Sequence, residues 1–368
     1  MSTHEQQAFP GEEEFQNHRQ ASDAESCFDQ ERIKVEDQVK NQKLVFSLIG
    51  NVNAGKSSTI NALTGMDLAS VNPIPGHTKD VSLYRMPRFP QVLVADTPGL
   101  EDINEEVSAR ARDFVETDSD IILFFVNASQ GVTSQILKGY RALRDLGRPM
   151  LVILGKSDVL DEDELPLVIE HTLKTLELTD QPHNLIPIAP KKGKGIPELT
   201  EAMAKILVGS GKDLLFAKLT REKDRIVDLW INRAAAAAFA IGALPIPGSD
   251  TVPLTALQVG LTMKIATAYD IEITRKAVLP LITEMAAGRI GKMVFRTLLK
   301  AAGWLGGPVG EFVTAGIAGI LAASMTYGIG KTAKQYFKNG MHESMEELQQ
   351  VFQDASEFYR RSSKKTLA

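Results

Sequence analysis

Only one cysteine, Cys27, occurs among the 368 residues. No intrachain disulfide can form, so the fold must hold by packing alone, as expected in a reducing compartment. A lone cysteine on a polar segment reads as a bystander, because a reactive thiol needs an electropositive neighbourhood. No strong excess of one charge is present either. The formal net charge of −5 excludes a bulk binder of nucleic acid, and DNA is not an expected partner. The opening MSTHEQQAFPGEEEF lacks the basic and apolar regions of a secretory signal, so a cytoplasmic location is expected. The charge that is present is uneven: the first forty residues are acidic, and the region after Gly211 leans basic.

With 43% hydrophobic residues over this length, the chain can build about two cored domains. Residues 1–21 are polar and acidic and predict a disordered tail. Residues 22–42 are good helix formers with few breakers and predict a helix that packs with the C-terminal part. From Lys43 the pattern changes. KLVFSLI (43–49), VLVA (92–95), IILFFV (121–126), MLVIL (150–154) and a weaker run at 185–188 read as buried strands. Helical patterns at 104–117, 135–146, 165–178 and 197–207 separate them. Continuous apolar strands alternating with helices predict an α/β domain over 43–210, with a mostly parallel sheet covered on both faces. After Gly211 the strand signals stop, and 211–368 predict an all-α domain.

Gly50-Asn51-Val52-Asn53-Ala54-Gly55-Lys56-Ser57 fits G-x-x-x-x-G-K-[ST], and it lies between an apolar strand and a helix over 57–63. That context is what the motif requires. Glycines let backbone N–H groups turn inward around phosphate oxygens, and the helix N-terminus adds its dipole. Lys56 supplies a point charge to the β- and γ-phosphates, and the Ser57 hydroxyl suits Mg²⁺. Two further segments follow strands. Asp96-Thr97-Pro98-Gly99 offers a carboxylate for Mg²⁺ and a Gly99 N–H for the γ-phosphate; Gly155-Lys156-Ser157-Asp158 ends the strand MLVIL.

In order and spacing these segments resemble the translation-factor class of P-loop GTPases, and within it the Era-like and TrmE-like group. The resemblance implies a Ras-like G domain that binds GTP or GDP with Mg²⁺. In that family an N-K-x-D segment reads guanine. Lys156 and Asp158 match it, while Gly155 stands in place of the Asn. The family's S-A-K segment corresponds to Ala189-Pro190-Lys191, where Pro190 has no N–H for guanine O6. Pro75-Gly76-His77-Thr78-Lys79-Asp80 resembles switch I, with Thr78 as a Mg²⁺-binding threonine. The implied nucleotide contacts are Asn51, Asn53, Ala54, Gly55, Lys56, Ser57, Ser58, Lys156, Asp158, Pro190 and Lys191. The implied magnesium ligands are Ser57, Thr78 and Asp96, and the groups nearest the chemistry are Lys56, Thr78 and Gly99. Leu100 stands where Ras-type enzymes carry a water-orienting Gln, so slow turnover is expected. Some members of the group use K⁺ held by the Asn at the position of Asn53; the alternative here is that Asn53 only stabilises the loop.

The helical region contains two nearly uncharged stretches, 234–247 and 312–330. The second has about the minimum length of a membrane span, with small residues Ala315, Gly319 and Ala323 at helix-packing spacing. Glu311 and the turn-forming Gly306-Gly307-Pro308 favour buried bundle helices instead, and hydropathy leaves both open. PIPGSDTVPLTALQVGLTMKIATAYD resembles the YcjF-type domain of unknown function attached to bacterial Era-like GTPases. The combination implies a nucleotide-dependent switch acting on a helical domain. That domain would touch a membrane from the cytoplasmic side or a second copy of the chain. The alternatives are an RNA- or ribosome-linked GTPase, against which no G-x-x-G loop sits in a KH setting, and a GTP-binding structural protein with negligible turnover.

Overall fold

The computed structural model describes residues 12–51, 53–67, 82–96, 105–243, 251–287 and 308–367. A six-stranded sheet forms the centre of the first half: β1 (Leu44–Gly50), β2 (Ser82–Met86), β3 (Phe89–Asp96), β4 (Ile121–Asn127), β5 (Met150–Gly155) and β6 (Leu185–Pro187). Their order is β2-β3-β1-β4-β5-β6. All neighbours are parallel except the β2–β3 pair. β1 and β4 are buried at every position, as expected of central strands with helices on both faces. β2 is the strand that the sequence pattern misses. It pairs antiparallel with β3 from Ser82↔Asp96 to Met86↔Phe89, and its SLYRM mixes exposed, half-buried and buried positions instead of forming an apolar run.

Helices α2 (Lys56–Thr64), α3 (Glu105–Asp118), α4 (Ser134–Arg144) and α5 (Glu164–Thr175) connect the strands, and α6 (Ile196–Ser210) follows β6. Thr133 caps α4, its side chain accepting from Ile136 N. The amphipathic face of α4 buries Ile136, Tyr140 and Leu143, and Tyr140 meets Phe124 edge to face at 5.5 Å. Because four parallel connections share one direction, Gly50, Asp96, Asn127 and Gly155 all lie at strand C-termini. Ligands of open α/β sheets bind along this rim.

The chain divides into two compact units, 38–226 and the described parts of 1–37 with 227–368. The composition changes at 211, fifteen residues before that division, and the difference has a packing cause. Helix α7 (Asp213–Leu219) buries Leu214, Leu215, Phe216, Ala217 and Leu219. Phe216 lies against Phe46 of β1 at 5.9 Å, and Arg221 N and Thr220 Oγ1 both donate to Leu63 O. The first helix, α1, spans Glu12–Lys40, so ten residues of the expected tail are helical.

In the second unit, α8 (Lys223–Gly242), α9 (Thr251–Ala268), α10 (Arg275–Val278), α11 (Pro280–Ala287), α12 (Pro308–Lys338) and α13 (Met345–Leu367) follow one another. The α1 side packs here too: Arg275 pairs with Asp29 at 2.7 Å and lies over the Phe28 ring. Small residues on α12 admit its neighbours. Built side chains on Gly319, Gly328 and Gly330 would run into Phe239, Phe352 with Ser356, and Ile231 respectively. Ala235, Ala238, Leu321, Ala322 and Ala323 are buried, so the described parts of both apolar stretches supply core. Among the described residues, no helix is long and apolar enough to cross a membrane. Residues 244–247 lie outside the described residues, and 312–315 are described only as helical backbone.

Candidate functional site

The phosphate-loop sequence sits where β1 ends and α2 begins. Gly50 has φ 150°, and a Cβ there would lie 2.4 Å from Phe125 O, so only glycine lets β1 pass this close to β4. Gly55 caps α2 at φ 99°, ψ 10°, a conformation that L side chains rarely adopt. A Cβ built there meets open space, leaving the start of α2 accessible to an anion. Asn53 also has a positive φ, 60°, and is exposed, as are Ser57 and Ser58; Ala54 and Asn51 are buried. Ala54 N donates to Asn51 O at 3.2 Å, which closes the turn.

Lys56 folds back over this loop. Its Nζ donates to Gly50 O at 2.9 Å and Asn51 O at 3.3 Å, and it stands 3.8 Å from Asp96 Oδ1. Both charges are largely buried, and desolvation dominates each. Burial lowers the Lys56 ammonium from its ordinary value, opposed by Asp96; burial raises the Asp96 carboxyl, opposed by Lys56. Asp96 Oδ1 is buried with no hydrogen-bond partner among the described residues. A lone-pair donor held at that depth suits a cation or a metal-bound water, and the exposed Ser57 hydroxyl supplies a second oxygen at the start of α2. The donor set is all oxygen, which is the chemistry of Mg²⁺. Thr78, Gly99, Leu100 and the switch I segment Pro75–Asp80 lie outside the described residues.

The second part of the site lies at the ends of β5 and β6. Lys156 takes φ 57°, and Ser157–Val159 forms one 3₁₀ turn that carries Asp158. Ser157 N donates to Ile188 O, fixing this turn to the end of β6. Pro190–Lys192 forms another 3₁₀ turn, closed behind by the Ala189–Lys194 bridge, and it packs against α2. The fold therefore brings Lys56, Ser57 and Asp96 together at the phosphate loop. Lys156, Asp158, Pro190 and Lys191 gather beside it.

Two features escaped the sequence reading. At Gly155, where the family pattern has Asn, a Cβ would lie 2.2 Å from Ala54 O. The phosphate loop rests directly on the β5 backbone, so the glycine is a close-approach residue and not merely a lost side chain. Asp158 also has an ionic neighbour: Lys192 Nζ lies 3.4 Å from its Oδ2. The tandem Lys191-Lys192 hinted at a second cation, but matching to S-A-K stops at Lys191.

Residues 45–156 match the protein-family model described as 50S ribosome-binding GTPase. Residues 204–361 match one described as a domain of unknown function, DUF697. Among curated relatives, GTPase Der from Brucella ovis is 27% identical over 212 residues, 56% of this chain and 41% of that protein. The tRNA modification GTPase MnmE from Synechococcus sp. is 28% identical over 165 residues, 44% of this chain and 33% of that protein. GTPase Era from Aquifex aeolicus is 27% identical over 201 residues, 52% of this chain and 63% of that protein. The chain thus spans less than two thirds of each of these relatives. The phosphate loop, the Asp96 strand end and the Lys156–Asp158 turn all sit on a parallel sheet of Ras-like order. Residues 45–156 therefore carry a GTPase domain of the kind found in Der, MnmE and Era, and residues 204–361 a DUF697 domain of unknown function.

Proposed function

We propose that this protein binds GTP and hydrolyses it to GDP and phosphate, with the nucleotide state controlling its helical unit. The observation that carries the reading is the Lys56–Asp96 pair at the mouth of the phosphate loop, beside the Asp158 turn. Incoming phosphate oxygens give the buried Lys56 ammonium stronger acceptors than the Gly50 and Asn51 carbonyls that it now holds. Ser57 and Asp96, with Thr78 from switch I, would hold Mg²⁺, which neutralises phosphate charge when bound. Asp158 accepts from the guanine edge and so excludes adenine. The exposed Asn53 is suited to a monovalent cation near the phosphates, in keeping with the group that the sequence resembles.

Phosphate release from GTP tests this reading. The wild-type protein should turn over slowly, and faster in KCl than in NaCl at equal ionic strength; Lys56→Ala should lose turnover. A Lys56→Ala protein that hydrolyses GTP at the wild-type rate would contradict it. Equal rates in the two salts would remove K⁺ alone.

The helical unit is read as the output of the switch, acting from the cytoplasm at the inner face of a membrane or on a second copy. Phe239 and Val252, 37% and 47% exposed, flank the sequence Leu244-Pro245-Ile246-Pro247 and support a surface contact in place of a span. Flotation with anionic vesicles, with GDP and with a non-hydrolysable GTP analogue, tests the membrane arm. Equal flotation in both states removes nucleotide control of it.

A further inference from the structure

Asp158 carries the base selectivity of the proposed function, and in this structure its carboxylate is engaged by another residue. Lys192 Nζ lies 3.4 Å from Asp158 Oδ2, with the two side chains 57% and 27% exposed. Both backbones are fixed. Ser157 N is tied to Ile188 O, Ala189 and Lys194 bond each other in both directions, and Gly193 N donates to Pro190 O. Gly193 takes φ 67° to make that turn. What remains adjustable is the four-carbon stem of Lys192, a strongly hydrated ammonium on a flexible tether. An exposed pair of this kind is weak, so a guanine edge that offers donors to both carboxylate oxygens can displace it.

We propose that Lys192 is a displaceable counter-ion of Asp158, which covers the guanine-reading carboxylate between nucleotides and slows their entry. The inference rests on the guanine role of Asp158. A counter-ion that must leave before the base docks reduces the fraction of protein competent to bind, and apparent affinity falls by that fraction. Since the ammonium has already moved aside in the complex, the release rate is unaffected. Entry and release rates therefore distinguish this role from an alternative one, in which Lys192 steadies Asp158 in the complex and its loss speeds release.

The experiment is stopped-flow binding of a fluorescent GDP to the full chain carrying Lys192→Met, Lys192→Arg or Lys194→Met. Both Met variants lose one positive charge on the same short turn, and the exposed Lys194 side chain has no part in the site, so Lys194→Met corrects for weaker steering of an anionic ligand. Relative to that control, Lys192→Met should associate about two- to five-fold faster and release at the wild-type rate. Lys192→Arg keeps the pair and should behave as wild type. Equal association by the two Met variants, or faster release from Lys192→Met, overturns the proposal. Asp158→Ala is run in parallel: if it binds the fluorescent GDP as wild type does, the guanine reading fails and the proposal falls with it. A failure confined to the Lys192 variants leaves the guanine reading intact.

Discussion

At the scale of single residues, the site is a set of close approaches and one pair of desolvated charges. In the proposed guanine-reading role, removing the Asp158 carboxylate would delete charge-assisted hydrogen bonds worth roughly 1.5–3 kcal/mol, or about ten- to 150-fold in affinity. Calorimetric titration of Asp158→Ala should show that loss for GDP and no change in the weak binding of ADP; unchanged GDP affinity would sink the assignment. Gly155 gives a sharper test. Restoring the Asn of the family pattern would bring a Cβ to 2.2 Å from Ala54 O, so the phosphate loop has to move. Gly155→Asn is expected to cost about 1–3 kcal/mol, seen as a lower Tm and weaker GDP binding; a variant as stable and as tight as wild type would refute the close-approach account. Asp96 makes a pH prediction. Burial raises its carboxyl above the ordinary aspartate range, so on acidification it is neutralised earlier than an exposed aspartate. Metal binding needs the charged form. Mg²⁺-dependent GDP affinity should therefore fall on acidification before ordinary exposed aspartates are neutralised, and Asp96→Asn should flatten that dependence. A wild-type profile that stays flat down to the ordinary aspartate range would oppose the idea.

At the scale of elements, α12 shows how the helical unit is specified. The helix has little amphipathic contrast because several helices use different faces of it. Gln258 of α9 donates to Thr326 at 3.1 Å. Lys331 and Lys334 both reach Asp228 of α8, at 2.7 and 2.9 Å. Tyr327 meets Tyr359 of α13 at 5.0 Å. Its glycines act as notches. At Gly328 an added Cβ would lie 2.1 Å from Ser356 Oγ and 2.7 Å from Phe352, whereas at Gly316 it would meet nothing within 4 Å. Gly328→Val should then destabilise by about 1–3 kcal/mol through overpacking, while Gly316→Ala should be neutral or gain up to about 1 kcal/mol of helix propensity. Thermal melts of the two variants decide it: equal Tm values would mean that the notch is not a packing determinant.

At the scale of the whole molecule, both ends of the nucleotide-binding unit continue into the helical one. The division falls inside α1, between Asp37 and Gln38, and inside α8, between Ile226 and Val227. Helices α1 and α8 thus each run through the division in the chain, and in the proposed function they are the covalent links between the nucleotide site and the helical unit. Only a few kcal/mol of differential interaction between nucleotide states are needed to shift populations. Hydrogen exchange over 227–243 and 316–330 should therefore differ between the GDP form and a non-hydrolysable GTP form. Identical protection in the two states would mean that the helical unit is a rigid companion of the nucleotide domain.

The sequence by itself determined the phosphate loop, the two strand-end segments and five of the six strands. Each depends on local chemistry: glycines where the backbone must turn inward, a lysine and a serine at a helix start, apolar runs long enough to be buried on both faces. It also located the change to an all-helical C-terminal part, because strand patterning stops at Gly211. Tertiary structure alone decided the rest. β2 is an edge strand that faces two environments, so SLYRM carries no apolar run. α7 joins the nucleotide-binding unit because it buries five apolar side chains, Phe216 among them against Phe46 of β1, a contact invisible in composition. The apolar 316–330 sequence is core because α8, α9 and α13 surround it, which hydropathy cannot report. The contact of Gly155 with Ala54 and the reach of Lys192 to Asp158 link positions far apart in sequence, and only the packing of β5, β6 and α2 brings them within atomic distance.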